Sequence, residues 1–397
     1  MTKNTNGWGR FTPWQLKNTK PALGAAFESC VRVECWGSNL GSARLNGMRR
    51  RLRWWFIAIP MFAVAANGAQ AEKLRSPWDH HKVEQTDVAY DCPAAPPFAK
   101  TLESSSYYVD SHASVIDRQK LAAYQKASEA PTHLSQFAAL AADAYLSKGS
   151  RAAAVCVYSL LEAAAKAKAW AGKMPGYSSV YVQNWMLSAV AISYLKVRES
   201  GVAKPHQDAT IQKWFEVVAG RVEDYFGRAV SRGYSDGRNN HLYWAGLAVA
   251  AASIADNRRK DFEAGISAYR MGVDAIQADG SLIAEMNRGQ MALHYHLYAL
   301  APLIILAELG EANGIDLYDE DQGAIHRLVS FCVAGLEDPS LLEKRTGVAQ
   351  VVPLPYAGGD IGWAVPYVRR FPNPQISALL AKAPWVRYTT WGGAPPD

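Results

Sequence analysis

The stretches LSQFAALAADAY (residues 134–145), AAAVCVYSLLEAAAKAK (152–168) and VYVQNWMLSAVAISYLK (180–196) follow one another with only short Gly, Ser or Pro breaks between them. Each is apolar and Ala-rich, longer than an ordinary strand, and free of the period-two alternation that marks a half-buried strand, so each reads as a helix. The pattern extends outward through Ile211 to Ser231, Leu242 to Asp256, Arg258 to Asp279, Met291 to Glu308 and Gln322 to Ala334. It stops at the Gly233 to Gly237 turn, at Asp279-Gly280 and at Asn313-Gly314. From Ser128 onward the chain therefore reads as an all-α protein of roughly ten to twelve helices. Many helix pairs with short connections can stack as a solenoid or close into an incomplete (α/α) toroid; no fixed-period repeat is visible, so the toroid is expected.

The chain has 397 residues, 49% hydrophobic and 20% charged, enough for a large core. Near its start, Met48-Arg49-Arg50-Arg51-Leu52-Arg53 precedes an apolar run from Trp54 to Ala66 and then Ala69-Gln70-Ala71. A basic segment, a short apolar segment and a small-x-small site read as a signal peptide over 48–71, with cleavage expected after Ala71. The apolar run is interrupted by Pro60 and falls short of the roughly 20 residues a spanning helix needs. Translation is expected to start at Met48, with residues 1–47 a non-native extension, leaving 72–397 as one all-α domain with no membrane contact after cleavage.

Residues 1–71 hold 10 of the 42 Lys and Arg and 2 of the 36 Asp and Glu, so the mature charge is −2 instead of +6. The pI of 8.9 belongs mostly to the discarded segment, and charge gives no support for a nucleic-acid partner. Any anionic ligand must be held by a local cationic cleft. Of five cysteines, Cys92, Cys156 and Cys332 remain in the mature chain, enough for one disulfide and one thiol in an oxidising compartment. No CxxC or Cys/His cluster has metal-ligand spacing, so neither a metal nor a cofactor is expected. Cys92-Pro93-Ala94-Ala95-Pro96-Pro97 is an extended, Pro-stiffened lead-in, and Ser104 to Ser111 reads as a polar surface loop whose Tyr107 and Tyr108 offer ring platforms.

Two blocks carry chemistry. Asn239-Asn240-His241-Leu242-Tyr243-Trp244 follows a Gly-rich turn and opens an apolar helix, placing an Asn as N-cap and the helix's positive end in front of it. Arg288-Gly289-Gln290-Met291-Ala292-Leu293-His294-Tyr295-His296 sets Arg288 and Tyr295 seven residues apart, on one face if a single helix runs through both. His294 and His296 read more readily as satisfied core or rim histidines than as ligands.

Taken together these segments resemble polysaccharide lyase family 5, the mannuronate-preferring alginate lyases of bacterial periplasms. The family's Asn-Asn-His-Ser-Tyr-Trp block stands here as Asn239 to Trp244, with Leu242 in place of Ser. Its Arg followed seven residues later by Tyr-His stands as Arg288 and Tyr295-His296, and the spacing between the blocks agrees. The Cys-Pro-x-x-Pro-Pro lead-in with its Tyr-bearing lid matches Cys92 to Tyr108, and Trp-x-x-Pro-Tyr matches Trp363 to Tyr367. The likeness runs from about residue 90 to 372. It departs at Tyr107, where some members carry Lys, and at Met291, where a second Arg is common; both changes remove a cation from the cleft and leave the uronate preference open.

The resemblance implies a periplasmic monomer acting on an anionic polysaccharide, with Asn240, His241, Arg288 and Tyr295 catalytic and with Tyr107, Tyr108, Gln183, Trp185 and His294 contacting substrate. Elimination across C4 and C5 of a uronate removes a weakly acidic C5 proton, which requires donors that neutralise the neighbouring carboxylate and accept charge from it. Asn240, His241 and Arg288 would form that clamp, helped by the helix N-terminus at His241. Tyr295 would serve as base or acid. Ionising an ordinary Tyr at pH 7 costs about 4 kcal/mol, and Arg288 with a protonated or hydrogen-bonded His241 is expected to lower that cost; His241 is itself an alternative base.

Three other readings compete. One is a lyase for another polyuronate, such as polyglucuronate or hyaluronan. Another is a glycoside hydrolase using Asp236 and Glu285 as its two carboxyl groups. The last is a non-catalytic periplasmic polysaccharide-binding protein. Cys92 and Cys156 are expected to form a disulfide pinning the lead-in to the helical body, with Cys332, in the apolar stretch Val329 to Val333, a buried free thiol. The loop Ser104 to Asp117 is expected to close over bound polysaccharide.

Overall fold

The computed structural model describes residues 72–396; the segments read as an extension and a signal peptide lie outside them. Among the described residues there are fourteen α-helical segments, ten of them of eight residues or more, and only isolated β-bridges. The long helices are α1 (Arg118–Ala127), α2 (Glu129–Lys148), α3 (Arg151–Lys166), α4 (Tyr177–Val197), α5 (Pro205–Ser231), α6 (Asn240–Ala255) and α7 (Arg259–Asp274). After a four-residue turn of helix, α8 (Ile283–Met286), come α9 (Ala292–Glu311) and α10 (Glu320–Glu337). The α7 helix ends at Asp274, five residues before the Asp279-Gly280 stop, because the chain turns back there to pair Ile276 with Leu282.

The helices form two layers, as their sequences require. Along α4, α6 and α9 apolar or small residues occur on every side, and these helices bury 18 of 21, 15 of 16 and 17 of 20 residues. Such helices must be covered all round. By contrast α5 buries 9 of 27 and α7 buries 7 of 16, a single face each. The inner helix α6 packs on α4 and α9, and α5 and α7 cover it from outside, which gives an α/α toroid. The α6–α7 contact depends on missing side chains: a Cβ on Gly246 would lie 2.5 Å from the Ala268 Cβ, and one on Gly265 would lie 2.7 Å from the Ala250 Cβ.

Pro302 inside α9 has no N–H for the carbonyl of Tyr298 one turn back. That carbonyl instead accepts from the Trp244 indole Nε1 at 3.1 Å, so the helix break is used to tie α9 to α6 beside Tyr295. The stretch 289–311 is apolar and long enough to span a membrane, yet 89% of its most apolar window is buried within the protein. Cys92 is bonded to Cys156 on α3, and Cys332 is a buried thiol whose pKa burial raises.

Candidate active site

Three elements build the site. The N-terminus of α6 supplies Asn240 and His241. Asn239 is its N-cap, its side chain accepting the His241 N–H at 3.0 Å and its carbonyl the Leu242 N–H at 3.0 Å. The segment 276–291 supplies Arg288. It is anchored by His296, whose Nε2 accepts the Leu282 N–H at 2.9 Å while its Nδ1 lies 2.7 Å from the Ala292 carbonyl; His296 is thus a satisfied core residue. The first turns of α9 supply His294, Tyr295 and Tyr298. Arg288 precedes α9 instead of sharing its face, because Gly289 (φ +55°) interrupts the helix. Its guanidinium nevertheless lies over the Tyr295 ring, 4.5 Å from the centroid.

The loop carrying Tyr107 and Tyr108 closes the other side. Tyr108 pairs with Ile116, and Asp110 accepts the Ser114 and Val115 N–H groups at 2.9 and 2.7 Å, which turns the loop back on itself. His112 Nδ1 sits 2.8 Å from the Asn287 carbonyl, and Gln290 donates to the Ser114 carbonyl at 2.9 Å, so the loop is fastened to the residues flanking Arg288. The Tyr108 and Tyr295 hydroxyls share a 2.7 Å hydrogen bond.

Four buried polar atoms around this cleft have no partner: Asn240 Oδ1, His241 Nδ1, His294 Nδ1 and Trp185 Nε1. Groups of this kind stand ready for a polar ligand. The His241 ring is stacked on Tyr181 at 3.6 Å and 11°, 6.0 Å from the Trp185 ring; His294 stacks on Tyr298 at 6.1 Å, which lies 6.1 Å from Trp185. Among the described residues no group of three or more His, Cys, Asp or Glu could hold a metal ion.

Several expectations need correcting. His241 is not protonated: burial, and then the charge of Arg288, hold its pKa down to about 3, and burial holds His294 at about 4. Tyr295 is not acidified either. Burial pushes its pKa above the usual 10, and the Tyr108 hydrogen bond and Arg288 offset only part of this. The first N–H groups of α6 do not face an open ligand site, since the Asn240 N–H donates to Glu285 and the His241 N–H to Asn239. Gln183 is turned away from the cleft; it is buried and donates to the Trp170 carbonyl at 2.7 Å. The two carboxylates of the hydrolase reading are already engaged. Asp236 accepts from the Tyr181 and Tyr225 hydroxyls at 3.2 and 2.5 Å, and Glu285 is bonded to Asn240. Sequence reasoning missed Tyr181 and Tyr298, although Tyr181 stands one helical turn before Trp185 and Tyr298 three residues after Tyr295.

A family model described as alginate lyase matches residues 101–342. A polysaccharide lyase of Stenotrophomonas maltophilia (strain K279a) is 40% identical over 301 residues, covering 74% of this chain and 86% of the relative. An alginate lyase of Cobetia marina is 31% identical, covering 74% and 80%. Among solved structures, alginate lyase A1-III from Sphingomonas species A1 superimposes with a TM-score of 0.65 at 23% identity, covering 82% of this chain and 90% of that one. A single-substitution variant of it complexed with a tetrasaccharide gives 0.68 at 22% identity, covering 82% and 89%. The molecule is thus a helical polysaccharide lyase. The chain belongs to the alginate lyase family, polysaccharide lyase family 5.

Proposed function

We propose that the protein cleaves alginate at mannuronate residues by β-elimination, breaking the C4–O bond and leaving a C4–C5 double bond in the new non-reducing end. The observation that carries this reading is the Arg288 guanidinium over Tyr295, 4.5 Å from the ring centroid, beside the unpartnered His241 Nδ1. Asn240, His241 and Arg288 bind the C5 carboxylate and stabilise the charge that develops on it. In mannuronate the C5 hydrogen and the C4 oxygen lie on one face of the ring. A neutral Tyr295 can therefore give its phenol proton to O4 while its oxygen takes the C5 proton, ending as the phenol it began as. Such an exchange fits a Tyr that burial keeps protonated. Tyr107, Tyr108, Trp185 and His294 line the sugar path, with the loop 104–117 closing over it and excluding water.

A second reading, action on polyglucuronate or hyaluronan, is left open by Met291, where a second cleft cation is common in the family; the relative at 40% identity also bears the broader name polysaccharide lyase. We place the protein in the periplasm on the signal-like 48–71 segment and the Cys92–Cys156 disulfide, which suits an oxidising compartment. The test is a panel of polymannuronate, polyguluronate, polyglucuronate and hyaluronan read by ultraviolet absorbance of the unsaturated product. Polymannuronate should give the fastest rise. Reducing ends without absorbance would instead indicate hydrolysis, and no turnover on any member would leave only binding.

A further inference from the structure

Glu285 is wholly buried on the short helix α8, and every polar contact of its carboxylate is with a residue of the cleft. Its Oε1 accepts two hydrogen bonds from Asn240, from the backbone N–H at 2.9 Å and from Nδ2 at 3.0 Å. Its Oε2 lies 3.5 Å from the Arg288 Nε and has no hydrogen-bond partner. One carboxylate thus bridges the two chain segments, 45 residues apart, that supply the proposed carboxylate clamp. A buried ion pair is weak evidence for a stabilising role, because replacing one with well-packed apolar residues is often neutral or stabilising.

We propose that Glu285 is the positioning residue of the clamp, holding Asn240 and Arg288 in register so that they meet the substrate carboxylate as one unit. The inference rests on the reading of Asn240 and Arg288 as that clamp. A carboxylate only accepts hydrogen bonds, so it fixes the Asn240 amide with Nδ2 toward Glu285. One Nδ2 hydrogen is then committed to Glu285 and the other is left for the substrate carboxylate, while the Asn240 carbonyl oxygen, buried without a partner, is available to a sugar hydroxyl. On the other side, Oε2 attracts a guanidinium that would otherwise be free to swing with its long side chain, and keeps it over Tyr295. The groups facing Glu285 are Asn240, Tyr243 and the charge of Arg288, with Tyr295 beyond it. Burial raises its pKa, and the charge of Arg288 and the hydrogen bonds from Asn240 oppose the rise.

The test is a double-mutant cycle on polymannuronate with wild type, Glu285→Gln, Arg288→Lys and the double variant, each checked for folding by thermal melting. Glu285→Gln keeps an oxygen for Asn240 but turns an amide donor toward Arg288. Each single change should lower kcat at least tenfold with KM altered less than threefold, and the double should fall no more than about threefold below the worse single. Losses that multiply would mean that Glu285 acts independently of Arg288 and would overturn the proposal. If Glu285→Gln does not fold, Asn240→Asp reads the same contact, because two carboxylates held 3.0 Å apart must share a proton. Its activity optimum should move at least one pH unit to the acid side, and an unmoved optimum would overturn the proposal. Wild type inert on every polyuronate would defeat the clamp reading itself, and this inference with it, a result distinct from an active wild type with multiplicative losses.

Discussion

Lowering the pH from 7 to 5 should destabilise the folded protein, because three histidines are buried as neutral imidazoles. His241 is held at about 3 and His294 and His296 at about 4, against 6.5 when exposed. The sign follows from linkage: at pH 5 the unfolded chain has taken up nearly one proton on each of these rings and the folded chain almost none, so unfolding binds protons and stability falls as pH falls. The stabilisation is fully present above about pH 6.5 and is lost progressively toward pH 3 to 4. From pH 7 to 5 each ring contributes a loss of about 2 kcal/mol, roughly 6 kcal/mol together. Asp360, raised by burial to about 6, works the other way by about 1 kcal/mol, and Glu285 opposes the trend as well. The net loss of several kcal/mol is a large part of an ordinary domain's 5–15 kcal/mol. Urea unfolding followed by circular dichroism at both pH values measures it. A midpoint at pH 5 equal to or above that at pH 7 would show that these histidines are not buried neutral.

Other consequences are local. Arg288→Lys should cut kcat/KM at least a hundredfold, since a point charge cannot reproduce a planar grip on a carboxylate while lying over the Tyr295 ring; steady-state kinetics on polymannuronate decide it. Tyr108→Ala should lower kcat/KM by more than tenfold, about 1.4 kcal/mol, with little change in melting temperature; a variant that melts early and keeps its efficiency would make the loop a structural element. Trp244→Phe removes the indole donor from the Tyr298 carbonyl that Pro302 leaves without a backbone partner, and should cost about 1–3 kcal/mol in urea unfolding.

The fold was legible because its inner helices are apolar on every side and its outer ones on a single face, a contrast visible in Val180 to Lys196 against Ile211 to Ser231. The residues at the N-terminus of α6 and around Arg288 were legible because they lie in two short blocks of matching spacing. What sequence could not supply was the three-dimensional bookkeeping of charge. Nothing in a linear reading says that Glu285 occupies the positive end of α6, or that His241 is enclosed by Tyr181 and so stripped of water. Burial is a tertiary property, and it reversed the expected direction for both Tyr295 and His241. Gln183 failed for a related reason: an amide on a helix buried on all sides can face the core as readily as the cleft, and here it meets Trp170.

The central claim is that the Tyr295 hydroxyl moves the protons of an elimination on a uronate. Its most direct measurement is the ultraviolet absorbance of unsaturated ends formed from polymannuronate by wild type and by Tyr295→Phe, a change that removes one oxygen and leaves the buried ring in place. The account predicts a steady rise for wild type and a loss of at least a thousandfold in kcat for a variant that melts like the parent and still binds the polymer. Wild-type activity retained in a folded Tyr295→Phe protein would contradict it.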